Sequence, residues 1–283
     1  MNTIGTLAPE ADSERRFGGL RRLFGDEGYE RVRAARVAVV GLGGVGSWAA
    51  EALARSGIAR LVLVDLDHVA ESNINRQVQA LGRTLGMSKV QALRERCADI
   101  HPACEVVGVE EFVNADNWPG LLGVPVDAVI DACDQAAAKT ALAAWSLASG
   151  VPLVCVGAAG GKRLAQRVEV EDLADVTHDP LLAGLRQRLR KAGLATRQGL
   201  IGVRCVFSRE SVAPPVARCD GAEGDNANRD GTLNCHGYGS SVTVTATFGM
   251  VAAGVVLAWL QAGPGPKSGA EVLLESEALR TGR

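Results

Sequence analysis

A glycine turn, GLGGVG (Gly41 to Gly46), follows the apolar run Val37 to Val40 and leads into a helical stretch, Ser47 to Arg55. Glycines let the backbone approach a phosphate, and a helix N-terminus offers N–H groups to the anion. We take Gly41, Gly43, Gly44 and Gly46 as cofactor-binding positions. Asp65 closes the next apolar run, Leu61 to Val64, where an acid accepts a ribose hydroxyl, so the turn alone also admits an NAD oxidoreductase. Further residues decide. SNINRQ (Ser72 to Gln77) brings Asn73, Arg76 and Gln77, Lys89 opens a helix, and DACDQ (Asp131 to Gln135) closes a strand. A helix dipole largely satisfies a pyrophosphate, whereas a triphosphate needs Arg and Lys to neutralise it and a carboxylate to hold Mg2+. Arg76 and Lys89 supply the cations and Asp134 the carboxylate. Each has an ordinary explanation as a surface cation or a capping acid. Their order behind a glycine turn, at the carboxyl ends of successive strands, favours ATP.

The elements that must position these groups are legible as alternation. Val37–Val40, Leu61–Val64, Glu105–Val109, Ala128–Ile130 and Leu153–Val156 read as strands, and Ser47–Arg55, Lys89–Ile100 and Ala136–Ser149 as helices. This implies an α/β, Rossmann-like, mostly parallel sheet with helices on both faces. Beyond Gly160 the texture changes to a C-terminal α+β extension. Ala165–Val170 alternates like an edge strand, Leu181–Lys191 reads as an amphipathic helix, and Ser208–Tyr238 is polar and loop-like. The expected division is a flexible N-terminus (1–15), an ATP-binding domain (16–160), the extension (161–262) and a flexible tail (263–283).

With 30 Lys+Arg against 32 Asp+Glu, the formal charge is -2, so no global basic field draws nucleic acid, and RNA contact must come from a local patch. The cysteines at 97, 104, 133, 155, 205, 219 and 235 form no C-x-x-C pair, which argues against zinc and against a disulfide framework. Reduced thiols fit a cytoplasmic location, and no signal peptide is visible. Val242–Leu260 is 19 residues without a charge, with a threonine alternation in its first half. We expect a strand or buried helix there, with peripheral or single-pass membrane association left open.

GLGGVG, Asp65, NINRQ, Lys89 and Asp134 resemble the ATP site of the bacterial activating enzymes for sulfur carriers, within the ubiquitin-activating-enzyme-like superfamily. The resemblance implies that Gly44 and its neighbours hold phosphates, Asp65 the ribose, Asn73 and Arg76 the triphosphate, Lys89 the phosphates at the scissile bond, and Asp134 the Mg2+. RFGG (Arg16–Gly19), GVGSWAAEALARSG (Gly44–Gly57), DPLLAGLRQRLRKAG (Asp179–Gly193) and VTATFGMVA (Val244–Ala252) look like one branch, the tRNA threonylcarbamoyladenosine dehydratases. This implies ATP-dependent cyclisation of the modified adenosine beside the anticodon of tRNA, through adenylation of its threonyl carboxylate. The runner-up is an adenylyltransferase for a ubiquitin-like sulfur-carrier protein. A monovalent cation and docking of sulfur-transfer proteins stay open.

Cys235, in NCHGYG, matches a cysteine of that branch and is a catalytic candidate by comparison with cysteines that form thioesters in related activating enzymes; its ordinary reading is a loop thiol beside His236 and Arg229. Arg186, Arg188, Arg190 and Lys191, with Arg197 and Arg204, form an acid-free basic stretch from Leu181 to Val206 and are the tRNA candidates. The resemblance also implies a homodimer in which an arginine among Arg16, Arg21 and Arg22 reaches the partner's ATP site.

Overall fold

The computed structural model describes residues 11–213 and 238–263. Four apolar runs become the centre of the sheet: β1 (Arg36–Val40), β2 (Arg60–Val64), β4 (Ala128–Asp131) and β5 (Leu153–Val156). β3 (Glu105–Val109) forms one edge, while β6 (Val168–Asp172) and β7 (Arg204–Ser208) build the other, in the order β3-β2-β1-β4-β5-β7-β6. All pairings are parallel except β6 against β7. Near-continuous Val, Leu and Ile in the central strands is what burial on both faces requires. The charged residues of VEVED suit β6 to an edge.

Alternate residues serve opposite cores. Val37, Val39, Leu61, Leu63 and Ile130 pack beneath α1 (Ser13–Ala34), α2 (Gly46–Arg55), α3 (Lys89–Ile100) and α6 (Val242–Ala262). Ala38, Val40, Val62, Val64 and Val129 face α4 (Ala136–Ser149) and α5 (Pro180–Lys191). The chain runs outward from β1 through β2 to β3, then returns to lay β4 on the other side of β1. The carboxyl ends of β1 and β4 therefore meet at the switch point of the sheet, where open α/β sheets take their ligands.

Two local readings change, and for Val242–Leu260 the helix is the one found of the two forms expected. The edge strand expected over Ala165–Val170 begins later: Ala165–Arg167 is a 3-10 turn, and pairing starts only where Val168 meets Ser208. The alternating threonines of Val242–Leu260 belong to a helix, where the Thr245 and Thr247 hydroxyls donate to the carbonyls of Ser241 and Thr243, four residues back. α1 begins at Ser13, capped by the Asp12 carboxylate on Arg15 N, inside the stretch expected to be flexible. Stretch 161–262 also contributes β6 and β7 to the same sheet and α6 to the same core.

α6 is the one helix among the described residues long and apolar enough to cross a membrane. Val244, Phe248, Ala252, Ala253 and Val256 bury one face of this helix in the core, which accounts for the apolarity of that face, while Val242 and Met250 are exposed. Its contact with α2 is close enough to require glycine, since a Cβ at Gly249 would lie 2.4 Å from Val45 O. At Gly254, five residues further on, a Cβ would meet no atom within 4 Å. Gly249→Ala should lower stability by about 1–3 kcal/mol. Gly254→Ala should be neutral or raise it by up to about 1 kcal/mol through helix propensity. Paired thermal melts of the two variants check this contrast.

Candidate nucleotide-binding site

The glycine turn packs against its surroundings at every point but one. Gly41 has φ 83°, and a Cβ there would lie 2.8 Å from Cys133 N in the loop after β4. At Gly46 it would lie 1.8 Å from Gly41 O, and at Gly44 it would press on Arg76 Cγ (3.1 Å) and Thr245 (3.2 Å). Gly43 is different, because a Cβ there would meet nothing within 4 Å. Packing does not require glycine at this position, which lines an open cavity of about 820 Å³. α2 starts at the turn with no side chain capping it, leaving its N-terminal end for an anion.

Asp65 holds the turn in place, its Oδ2 accepting from Leu42 N at 2.6 Å and its Oδ1 from Asp67 N at 2.8 Å. Burial pushes its carboxyl pKa up, against the opposing pull of Lys89 and these two amides. The Lys89 Nζ, near the base of the cavity, lies 2.6 Å from Asp67 Oδ2 and 3.7 Å from Asp65 Oδ1. Arg76 Nη1 donates to Ser72 O at 2.6 Å and to Asn75 Oδ1 at 3.0 Å, and half-burial lowers the guanidinium pKa. Trp48 Nε1 donates to Arg76 O at 2.9 Å, tying the SNINRQ segment to α2. Asp134 lines the same cavity from the loop after β4.

The cavity thus gathers Gly41, Gly43, Gly44, Asp65, Arg76, Gln77, Lys89 and Asp134. Gly46 and Asn73 lie behind it. Gly46 serves the turn, and Asn73 Oδ1 accepts from Ala70 N at 3.0 Å, closing a short 3-10 turn that aims Arg76. Cys235, with His236 and Arg229, falls outside the described residues.

The basic helix is less open than its sequence implies. Arg186 Nη1 donates to the carbonyls of Leu173 (2.9 Å) and Val176 (2.8 Å), Arg188 Nε to Thr140 Oγ1 (2.9 Å), and Arg190 Nε to Thr196 O (3.1 Å). Lys191 and Arg197 are the exposed cations of this stretch. Arg16 and Arg21 are likewise engaged within the chain. Arg16 Nη1 donates to Asp99 O and Ile100 O at the end of α3, and Arg21 pairs with Glu14, Asp26 and Glu30. Arg22 is exposed.

Several residues of the site are not among the sequence candidates, although Tyr238 and Thr245 lie within NCHGYG and VTATFGMVA. Asp67 is the closest charge partner of Lys89, and Tyr238, Ser240 and Thr245 close a wall from the far end of the chain. Asn75 Nδ2 donates to Ser240 O at 3.0 Å and fastens that wall to the SNINRQ segment. Only the three-dimensional return of the chain brings these together.

A doubly wound sheet with a glycine turn, two cations and an acid at its switch point defines a nucleotide-binding α/β protein. The chain belongs to the ThiF family, whose model matches residues 18–279. It is 42% identical over 243 residues to the tRNA threonylcarbamoyladenosine dehydratase of Escherichia coli K12, covering 84% of this chain and 90% of that protein. With the enzyme of the same name from Haemophilus influenzae it shares 36% identity over 257 residues, covering 90% and 96%. The crystal structure of the Escherichia coli tRNA N6-threonylcarbamoyladenosine dehydratase in complex with ATP superposes with a TM-score of 0.79 at 37% identity, covering 98% of this chain and 100% of that one.

The glycines should separate by role. Gly43→Val is expected to leave the melting temperature unchanged and to weaken binding of a fluorescent ATP analogue at least tenfold, about 1.4 kcal/mol. Gly46→Ala should lower the melting temperature itself, because the carbonyl it strikes belongs to the turn.

Proposed function

We propose that this chain catalyses the ATP-dependent dehydration of threonylcarbamoyladenosine next to the anticodon of tRNA, through adenylation of the threonyl carboxylate. The observation that carries this reading is the convergence of Gly43, Arg76, Lys89 and Asp134 on one cavity, in a chain alike over most of its length to enzymes named for this reaction.

A free carboxylate is a poor electrophile. Its attack on the α-phosphate of ATP gives an acyl-adenylate and releases pyrophosphate, and ring closure then expels AMP. The turn at Gly43 and Gly44 and the N-terminus of α2 would hold phosphates, while Arg76 and Lys89 stabilise charge on the departing pyrophosphate. Lys89 reaches this role from its contact with Asp67, so phosphate oxygens compete with that carboxylate for the ammonium. The attacking carbamoyl atom belongs to the same nucleoside, so closure needs orientation and no protein nucleophile.

Asp134 fits Mg2+, which characteristically takes one or two carboxylates and completes its shell with phosphates and water. When bound, the ion would neutralise phosphate charge. We further assign tRNA contact to the exposed Lys191 and Arg197, a cytoplasmic location, and a homodimer in which Arg22 is the arginine left to reach across.

Threonylcarbamoyl-modified tRNA incubated with the protein, Mg2+ and ATP should yield a nucleoside lighter by one water, with AMP, and none without ATP. No water loss despite ATP binding would reject the reading in favour of a protein substrate. Arg76→Ala and Lys89→Ala should each reduce turnover by at least about a hundredfold, the order lost with one charge-stabilising group; near-normal turnover in either removes it from the mechanism.

Charge reversal at Lys191 and Arg197 should weaken tRNA binding and flatten its salt dependence, because each lost phosphate contact reduces the log–log slope by about 0.9 on a duplex. Filter binding across a salt series reads this without disturbing the inward bonds of Arg186.

A further inference from the structure

Beneath the Asp134 loop lies an ion pair that the nucleotide reading does not use. Asp131, the last residue of β4, and Lys139, in the first turns of α4, are both fully buried, with Nζ 2.8 Å from Asp131 Oδ2. Nζ also donates to Val156 O at 2.9 Å. The same carboxylate accepts from Cys133 N (3.2 Å) and Cys133 Sγ (2.9 Å) at Oδ1, and from Cys155 Sγ (3.2 Å) at Oδ2. Burial works against the lysine charge, but the facing carboxylate outweighs it and the ammonium pKa is raised. Burial, with the negative charge of Asp131, raises the Cys133 and Cys155 thiols well above their ordinary range, so both are neutral donors.

The pair closes a short loop. Ala132, Cys133, Asp134 and Gln135 connect β4 to α4, with Asp131 at one end, Lys139 just past the other, and Cys133 bound from the middle. The backbone at Ala132 and Cys133 is also the surface against which Gly41 is pressed. Stability alone is a weak reason for such an arrangement, since replacing a buried ion pair by neutral groups of similar size is often neutral or stabilising. Register is a better one. Gln135 makes no side-chain cap onto α4, and the pair spans the loop from strand to helix.

We infer that Asp131 and Lys139 are positioning residues, whose buried pair fixes the Ala132–Gln135 loop so that Asp134 faces the phosphates of the bound nucleotide. This rests on the proposed role of Asp134 toward Mg2+. The pair touches neither substrate nor ion and acts through the loop.

The test compares the affinity of a fluorescent ATP analogue with Mg2+ and with EDTA in the full chain. Asp131→Asn/Lys139→Met removes both charges and keeps an acceptor for Cys133 N. It should leave affinity in EDTA within twofold and the melting temperature within a few degrees, while the gain in affinity on adding Mg2+ falls at least fivefold. An unchanged gain would overturn the inference, because a purely structural pair has no reason to affect it selectively. Asp134→Asn is measured alongside. If it too keeps the full Mg2+ gain, the reading of Asp134 fails and the inference with it; if only the double variant keeps it, the inference fails alone. Should the double variant lose its near-ultraviolet circular dichroism, Cys133→Ala, which keeps both buried charges and removes one donor to Asp131, takes its place. A loss of at least twofold in the Mg2+ gain is then expected, and no loss overturns the inference.

Discussion

Backbone meets backbone at the switch point. The Gly41 turn lies against the peptide between Ala132 and Cys133, and the start of α2 lies against the Gly41 carbonyl, at separations that leave no room for a Cβ. This contact joins the β1 turn to the β4 loop and sets how far Gly43 stands from Asp134. Thr245 reaches Gly44 from α6, and Asp65 holds Leu42 N from β2, so four separate parts of the chain fix one turn. Glycines raise the entropy of the unfolded chain, so fixing them on folding costs more. What they leave is a rigid concave surface with one unfilled direction, at Gly43.

The electrostatics of the cavity follow from this geometry. Lys89 is nearly buried, and a buried ammonium needs a counter-charge. Asp67 provides it from the exposed side, with Asp65 further off. A phosphate bound there would meet a cation already desolvated and held, and would exchange one anionic partner for another. Arg76 is held within its own segment, its guanidinium donating to Ser72 O and Asn75 Oδ1.

Much of this was legible in the sequence because it is local. The glycine turn, the strand runs and the opening of α3 at Lys89 each follow from residue type over a short stretch, and their boundaries are close to those observed. Asp131 shows why the rest was not. At the end of an apolar run it reads as a strand cap, and nothing in Lys139 marks a lysine turned wholly inward on an alanine-rich helix. Arg186 shows the converse, a residue in an open basic run whose guanidinium caps the carbonyls of Leu173 and Val176. Thr245 and Thr247 imitate strand alternation because their hydroxyls satisfy themselves on the preceding helical turn. In each case long-range geometry decides what a side chain's polarity is for.

The docking of α6 has a temporal consequence. The helix comes from the far end of the described chain, yet it packs against α2 and brings Thr245 to Gly44 and Ser240 to Asn75. During synthesis the sheet through β5 can assemble with its glycine turn formed, while one wall of the cavity is still inside the ribosome. Completion of the nucleotide pocket therefore comes after α6 emerges. A nascent chain cannot engage its ligand with the full set of contacts until nearly all of its core is in place, which ties the first productive binding event to the end of folding.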